Sequence, residues 1–230
     1  MNNHELVLVL DFGGQYNQLI ARRVRDSKVY CEVLPHSADL ATIVAKNPKG
    51  IIFTGGPSIA YEADAPSVDP KIFELGIPIL GICYGAQLTA HLLGGKLEAA
   101  ENREYGKKDL EVAAAHPIYK DVNQNTICWM SHTYHVTELP NDDYKIIAQT
   151  NHCPIAAFAN DVDKIYGFQY HPEVVHTTEG TQMLQNFLFE ICGCKGDWVM
   201  SNFVDNAIQK LKEQIGDRKV LCALSGGVDS

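Results

Sequence analysis

Ile77–Leu93, IPILGICYGAQLTAHLL, is the stretch whose reading decides the fold. It opens as the apolar run Ile77-Pro78-Ile79-Leu80-Gly81-Ile82, too short for a helix and right for a fully buried strand. It passes through Gly81-Ile82-Cys83-Tyr84-Gly85 and continues as Ala86–Leu93, which has helical spacing and stops at Gly94-Gly95. A cysteine between two glycines at a strand-to-helix turn is the sulfur counterpart of a nucleophile elbow. Such a nucleophile must stand clear of the sheet edge on a tight turn, and the glycines on either side let neighbouring backbone come close. The helix that begins at once points its free N–H groups and positive dipole end at the sulfur, which favours the thiolate. The plainer alternative is a small cysteine buried at a strand end, and G-x-C-x-G alone does not separate the two.

Upstream, strand and helix signals alternate. Leu6–Leu10 reads as a buried strand ending at Asp11-Phe12-Gly13-Gly14, and Gln15 to Arg25 as a helix with Leu19, Ile20 and Val24 on one side. Tyr30–Leu34 reads as a strand, Leu40–Ala45 as a short helix, and Lys49–Thr54 as a strand running into Gly55-Gly56-Pro57-Ser58. A turn-rich loop with Pro57, Pro66 and Pro70 leads back to the elbow strand. This alternation predicts an α/β fold, a mostly parallel central sheet flanked by helices. Ligands bind such sheets beyond the carboxyl ends of the strands, where both glycine-rich turns fall.

Downstream of Gly95 the pattern changes. Lys96–Glu98, Leu110–Ala114, Thr126–Met130, Lys145–Gln149 and Ile155–Phe158 read as short strands between turns, which predicts antiparallel additions to the sheet. Lys164–Tyr170 is a further strand and ends in His171-Pro172-Glu173-Val174. A helix from Thr178 to about Cys192 closes the unit, with Met183, Leu184, Phe187, Leu188 and Ile191 on its apolar side. Residues 1–193 therefore form the first domain, and residues 194–216 a linker and connecting helix. That helix starts at the N-cap Asp197 and carries a stripe of Val199, Phe203, Val204, Ile208, Leu211 and Ile215. Residues 217–230 look like the truncated start of another strand-loop unit, Lys219–Leu224 followed by Ser225-Gly226-Gly227-Val228-Asp229-Ser230.

With 230 residues, 46% hydrophobic and 20% charged, the chain can bury a substantial core as one domain plus an appendage. A formal net charge of -9 argues against nucleic acid as a partner. Seven cysteines, an odd number without repeating spacing, do not make a disulfide framework; with no secretory signal they fit a reducing, cytoplasmic compartment. Leu6–Leu10 is far too short to cross a bilayer, and no later segment approaches the needed length, so no membrane is expected as a partner.

A thiol nucleophile needs a base, and the base needs an orienting group. His171 follows a strand, as Cys83 does, so both can reach one sheet edge, and Glu173 can reach back to hold the imidazole tautomer. The glycine pair Gly55-Gly56 lies after a strand near the elbow and can aim backbone N–H groups at a developing oxyanion, although alone it reads as a plain turn.

The segments FTGGP, GICYGAQL and FQYHPEV stand in the order and spacing of the class I glutamine amidotransferases, and the chain resembles that family, a flavodoxin-like fold. NREYG at Asn102–Gly106, WMSH at Trp129–His132, the opening DFGGQY and the terminal VLCALSGGVDS are similar to the glutamine-hydrolysing GMP synthase group within it. The resemblance implies that Cys83 attacks the carboxamide of glutamine, with His171 as general base and then acid and Glu173 orienting it. It implies an oxyanion hole from the N–H groups of Gly56 and Tyr84, and a glutamine pocket lined by Gln87, Ser131, His132 and Tyr134. No cofactor is implied for glutamine hydrolysis and no metal for the site. The released ammonia would go to a synthetase, an ATP pyrophosphatase domain in cis or in trans that needs ATP and Mg2+ to convert XMP to GMP. Of that domain only the ATP loop Ser225, Gly226, Gly227, Val228, Asp229 and Ser230 would be present; it can wrap a pyrophosphate in backbone N–H groups but lacks the lysine of a Walker loop. A homodimer is expected only for a full-length protein. Two alternatives are an amidotransferase serving another synthetase and a catalytically silent binding module.

One departure stands out. The group usually continues WMSH with Gly-Asp, whereas this chain has Thr133-Tyr134-His135, and a β-branched residue tolerates positive φ badly. The pocket backbone, and with it glutamine affinity, is where a difference is expected; Tyr134 would pack on the substrate. His132 and His135 read as a loop at the pocket rim, and Cys192-x-Cys194 lacks a second ligand pair at metal-site spacing. Cys31, Cys128 and Cys222 lie in apolar strands and read as core, and Cys153 sits in a turn beside a proline.

Overall fold

The protein is described by a computed structural model over residues 4–62, 64–113, 115–199, 208–209 and 211–221. The expected ATP loop, Ser225–Ser230, and the end of the expected strand from Lys219 lie outside these residues. Two compact units are present, Met1–Asp197 and Trp198–Ser230.

In the first unit the described residues form a nine-stranded sheet. Its strands in chain order are β1 (Leu6–Asp11), β2 (Tyr30–Pro35), β3 (Gly50–Phe53), β4 (Ile79–Ile82), β5 (Lys96–Val112), β6 (Asn125–Glu138), β7 (Lys145–Gln149), β8 (Ala157–Asn160) and β9 (Ile165–Phe168). They lie in the order β2-β1-β3-β4-β9-β8-β7-β5-β6. The first five are parallel, and every pairing from β9 outward through β8, β7, β5 and β6 is antiparallel. The parallel half has the doubly wound order that places ligands at its carboxyl edge.

The parallel half is buried on both faces, as its unbroken apolar strands require. Successive residues of a strand point to opposite faces, and β1 shows it: Val7 and Val9 join one core cluster, Leu6, Leu8 and Leu10 the other. On the first face pack α1 (Asn17–Asp26), through Ile20, Ala21 and Val24, and α4 (Gly180–Asn186), through Met183 and Leu184. On the second pack α2 (Leu40–Lys46), capped by the Asp39 carboxylate, and α3 (Tyr84–Leu92). Each large apolar side chain fully buried here contributes roughly 1.5–3 kcal/mol.

Several expectations change. The short strands expected at Lys96–Glu98 and from Leu110 belong to one strand of 17 residues that ends at Val112, and Thr126–Met130 extends to Glu138. The two long strands pair antiparallel with each other, which satisfies the backbone of charged residues that carry no apolar run of their own. His132 and His135, expected on a loop at the pocket rim, are therefore in strand. The helix expected from Thr178 to Cys192 is α4 followed by a π-helical turn, Phe187–Ile191, which carries Phe187 and Leu188 into the core.

In the second unit residues 208–209 and 211–215 are helical, within the expected connecting helix. Residues 219–221, expected to be strand, are irregular, and Val220 and Leu221 are exposed. Among the described residues no strand pairs with them, and an unpaired strand has no ladder to hold it. No helix of the described residues is long and apolar enough to cross a membrane.

Candidate active site

Cys83 sits between β4 and α3 at φ 53° and ψ -107°, a backbone conformation that a non-glycine residue rarely adopts. Strain of this kind costs of order 1–3 kcal/mol and persists only where the surroundings impose it. Here the Cys83 N–H donates to Phe168 O at 2.7 Å, and the Gly85 N–H to Thr54 O at 3.1 Å, so the elbow is tied to the strands on both sides. The flanking glycines are required by close approach. A Cβ on Gly81 would lie 2.5 Å from the Ala86 nitrogen, and one on Gly85 would lie 2.6 Å from the Phe53 oxygen.

His171 follows β9, the strand next to β4, which puts it across the carboxyl edge from Cys83. Its Nδ1 lies 2.8 Å from Glu173 Oε1, and Glu173 has no exposed surface. Thr177 Oγ1 donates to His171 O, the His171 N–H donates to Trp129 O at 3.0 Å, and Tyr16 meets the imidazole edge-on at 5.4 Å between ring centres. Arg23 Nε donates to the Glu173 backbone oxygen at 3.0 Å and anchors the turn from α1. Burial by itself would lower the pKa of His171. The neighbouring Cys83 sulfur and the Glu173 carboxylate outweigh it and hold the pKa well above its ordinary value of 6.5. The trio can therefore hold a proton on the imidazole beside the sulfur.

These groups open onto a cleft of about 440 Å3. Its floor is Cys83, Tyr84, Gln87 and His171; one wall is Gly13–Tyr16 with Gly55–Ile59, and the other is Ser131–Tyr134 with Tyr105. Gly56 and Tyr84 adjoin, since a Cβ on Gly56 would stand 3.2 Å from the Tyr84 ring. A Cβ on Gly55 would stand 3.3 Å from His171 Cε1 and 3.8 Å from Cys83 Cβ, so the glycine pair presses its backbone against the trio. Thr133, flagged for its position after WMSH, does not have a positive φ, and the strand stays extended. Tyr134 packs edge-on against Tyr61 at the mouth. The His132 imidazole is turned away from the cleft, with 1% of the side chain exposed, so His132 borders the cleft mainly through its backbone.

Gln169 escaped the sequence reading. Its Nε2 lies 3.8 Å from Cys83 Sγ, and its Oε1 accepts from Gln87 Nε2 at 3.1 Å. Gln87 Nε2 also donates to Tyr134 O at 2.7 Å, linking the elbow helix to the pocket wall. The sequence marks it only by its place two residues before His171. Tyr16 and Tyr105 were missed as well; only the fold brings their segments to the cleft.

Among the described residues one group could hold a metal ion, Glu104, His132 and Cys153, whose ligand atoms lie within 4.8 Å of one another. It is separate from Cys83, His171 and Glu173.

A model of the glutamine amidotransferase class-I family matches residues 8–191. The chain is 58% identical over 228 residues to a GMP synthase [glutamine-hydrolyzing] of Ruminiclostridium cellulolyticum and 57% identical over 228 residues to one of Acetivibrio thermocellus. In each case the match takes in 99% of this chain and 44% of the relative, so the chain spans less than half the length of these relatives. Among solved structures it matches a Thermoplasma acidophilum protein provisionally assigned as one component of a GMP synthase. That match has a TM-score of 0.75 at 29% identity over 91% of this chain and 100% of the other. A Thermotoga maritima glutamine amidotransferase, 18% identical, matches with a TM-score of 0.64 over 83% of this chain and 99% of the other, which speaks to the fold alone.

Proposed function

Because the chain belongs to the class I glutamine amidotransferase family, we propose that its cleft hydrolyses glutamine to glutamate and ammonia. The observation that carries this reading is His171, held by Glu173 at 2.8 Å and placed with Cys83 at the ends of adjacent parallel strands. Glu173 occupies Nδ1, leaving Nε2 as the nitrogen that exchanges a proton with the sulfur. With that proton already on His171, Cys83 Sγ attacks the carboxamide carbon of glutamine. The oxyanion that forms is stabilised by the N–H groups of Gly56 and Tyr84, beside a helix N-terminus. His171 then returns the proton to the departing nitrogen, ammonia leaves, and a glutamyl thioester remains on Cys83. Water, deprotonated by His171, attacks the thioester; glutamate leaves and the thiol is restored. Gln87 and the backbone of Ser131, His132 and Tyr134 hold the amino-acid end of the substrate.

The likeness to GMP synthases supports a more specific role: the ammonia serves an ATP- and Mg2+-dependent synthetase that converts XMP to GMP, joined in cis or supplied in trans. The Cys83–His171–Glu173 trio and the Ser131–Tyr134 wall both come from this chain, which supports binding and thioester chemistry within it. The test is ammonia release from glutamine, measured with and without a separately prepared synthetase domain. Slow release alone, rising about tenfold with the partner, is expected from ordinary coupling between sites. No GMP should form from XMP, ATP and ammonia with this chain alone. Absence of any glutamine hydrolysis in both arms would overturn the glutaminase reading; hydrolysis indifferent to the partner would overturn the coupling.

A further inference from the structure

β5 and β6 do not pair evenly. Ala99 stands opposite Tyr134 and Glu104 opposite His132, so residues 100–103 of β5 face Thr133 alone. A bulge of this size breaks the ladder and bends the strands, and it lies where β6 forms the cleft wall. The backbone groups beside it already serve the site: Ser131 O lies 3.8 Å from Cys83 Sγ, and Tyr134 O accepts from Gln87. Something must hold this register, because a one-residue slip would turn every β6 side chain to the opposite face.

The first residues paired after the bulge are Glu104 and His132, with 1% of each side chain exposed. His132 Nε2 faces Glu104 Oε2 at 3.4 Å, within ion-pair reach but without a well-aligned hydrogen bond. Thr150 Oγ1, in the turn between β7 and β8, lies 3.0 Å from both Glu104 oxygens and accepts from the Cys153 N–H at 3.0 Å. Burial alone would raise the pKa of the Glu104 carboxyl, but His132 and Thr150 outweigh it and hold the group below its ordinary value. A buried carboxylate tied to three segments is an expensive arrangement unless all its partners stay in place. Cys153 completes the cluster, but burial pushes its thiol far up, which opposes the thiolate a metal would need.

We propose that Glu104 is a positioning residue for substrate binding: its carboxylate, held by Thr150 against His132, pins the β5–β6 bulge and so fixes the Ser131–Tyr134 wall. The proposal rests on the glutaminase reading above. It acts on binding, not on the bond-making step, because none of the three side chains touches the Cys83–His171–Glu173 trio.

The test uses the 230-residue chain and a γ-diazoketone analogue of glutamine that alkylates the nucleophile, giving a saturation constant for binding and a limiting rate for chemistry. Glu104→Leu should raise the saturation constant about tenfold with the limiting rate within about twofold, the range for losing one charge-assisted contact. Glu104→Gln, which keeps shape and an acceptor, should recover most of the binding. If Glu104→Leu does not fold, Thr150→Val decides: it should weaken binding about threefold, with Thr150→Ser restoring it. A folded Glu104→Leu, or failing that a Thr150→Val, with unchanged saturation overturns the proposal, as does an effect confined to the limiting rate. Zinc or another divalent ion retained one per chain by the wild type and lost from Glu104→Leu also overturns it, since the cluster would then be a metal site. Failure of the wild type to label at Cys83 overturns the glutaminase reading itself.

Discussion

The parallel and antiparallel halves of the sheet build one cleft by different means. In the parallel half each functional group stands where a strand ends: Gly13-Gly14 after β1, Gly55-Gly56 after β3, Cys83 after β4 and His171 after β9. In the antiparallel half Ser131–Tyr134 come from the middle of β6, and what they present depends on pairing with β5 across a bulge. On the proposed function, chemistry is thus supplied by short-range features and recognition by long-range register. Substitutions in the first half should act on the reacting sulfur, and those in the second on affinity or stability.

The largest effect expected is from Cys83→Ala, which removes the sulfur and should lower glutamine turnover by at least about a thousandfold. Cys83 is buried to 7% exposure, so the variant also loses about 1 kcal/mol of stability, a shift of about 2–4 °C in Tm. Residual turnover above about a tenth of wild type in folded protein would show that the nucleophile lies elsewhere.

Glu173→Gln comes next, with an expected loss of about a hundredfold, smaller than that from removing Cys83 or His171 because the carboxylate orients the imidazole and does not touch substrate. The sign of its pH effect is fixed. With His171 held well above 6.5 in the wild type, the alkaline limb of the rate profile, where the imidazolium is lost, lies above that pH. Removing the negative charge lowers the His171 pKa, so the limb moves to lower pH in the variant. A limb that stays in place would mean that Glu173 does not set the imidazole charge.

Gln169→Leu should be milder, lowering kcat/KM about tenfold through loss of the contacts to Cys83 and Gln87. Steady-state kinetics that match the wild type would confine Gln169 to packing. The smallest effect belongs to the antiparallel half. Gly106 has φ +88° with open space where a Cβ would go, so Gly106→Ala carries backbone strain and no clash. A loss of about 1 kcal/mol in denaturant unfolding is expected. A loss several times larger would show that the β5–β6 ribbon is as tightly constrained as the elbow, and the contrast between the halves would fail.

The amino-acid order by itself determined the elbow, because a proline-bounded apolar run, a cysteine between glycines and a helical run require only residues adjacent in the chain. The α/β class and the parallel core followed from the same local periodicities, as did the place of His171-Pro172-Glu173 at a strand end. The ends of the long ribbon were legible but its middle was not, since β5 passes through Glu101-Asn102-Arg103-Glu104 with no alternating apolar signal, and only the pairing with β6 on either side of the bulge joins the two ends. Gln169 was hidden for a related reason: nothing in FQYHPEV tells that its amide meets a sulfur from another strand and an amide from α3. The cluster of Glu104, His132 and Thr150 lies further still from sequence sight, because its members come from β5, β6 and the turn after β7. Strand ends are specified by neighbours in sequence; buried polar contacts across strands are specified by register, which exists only once the sheet has assembled.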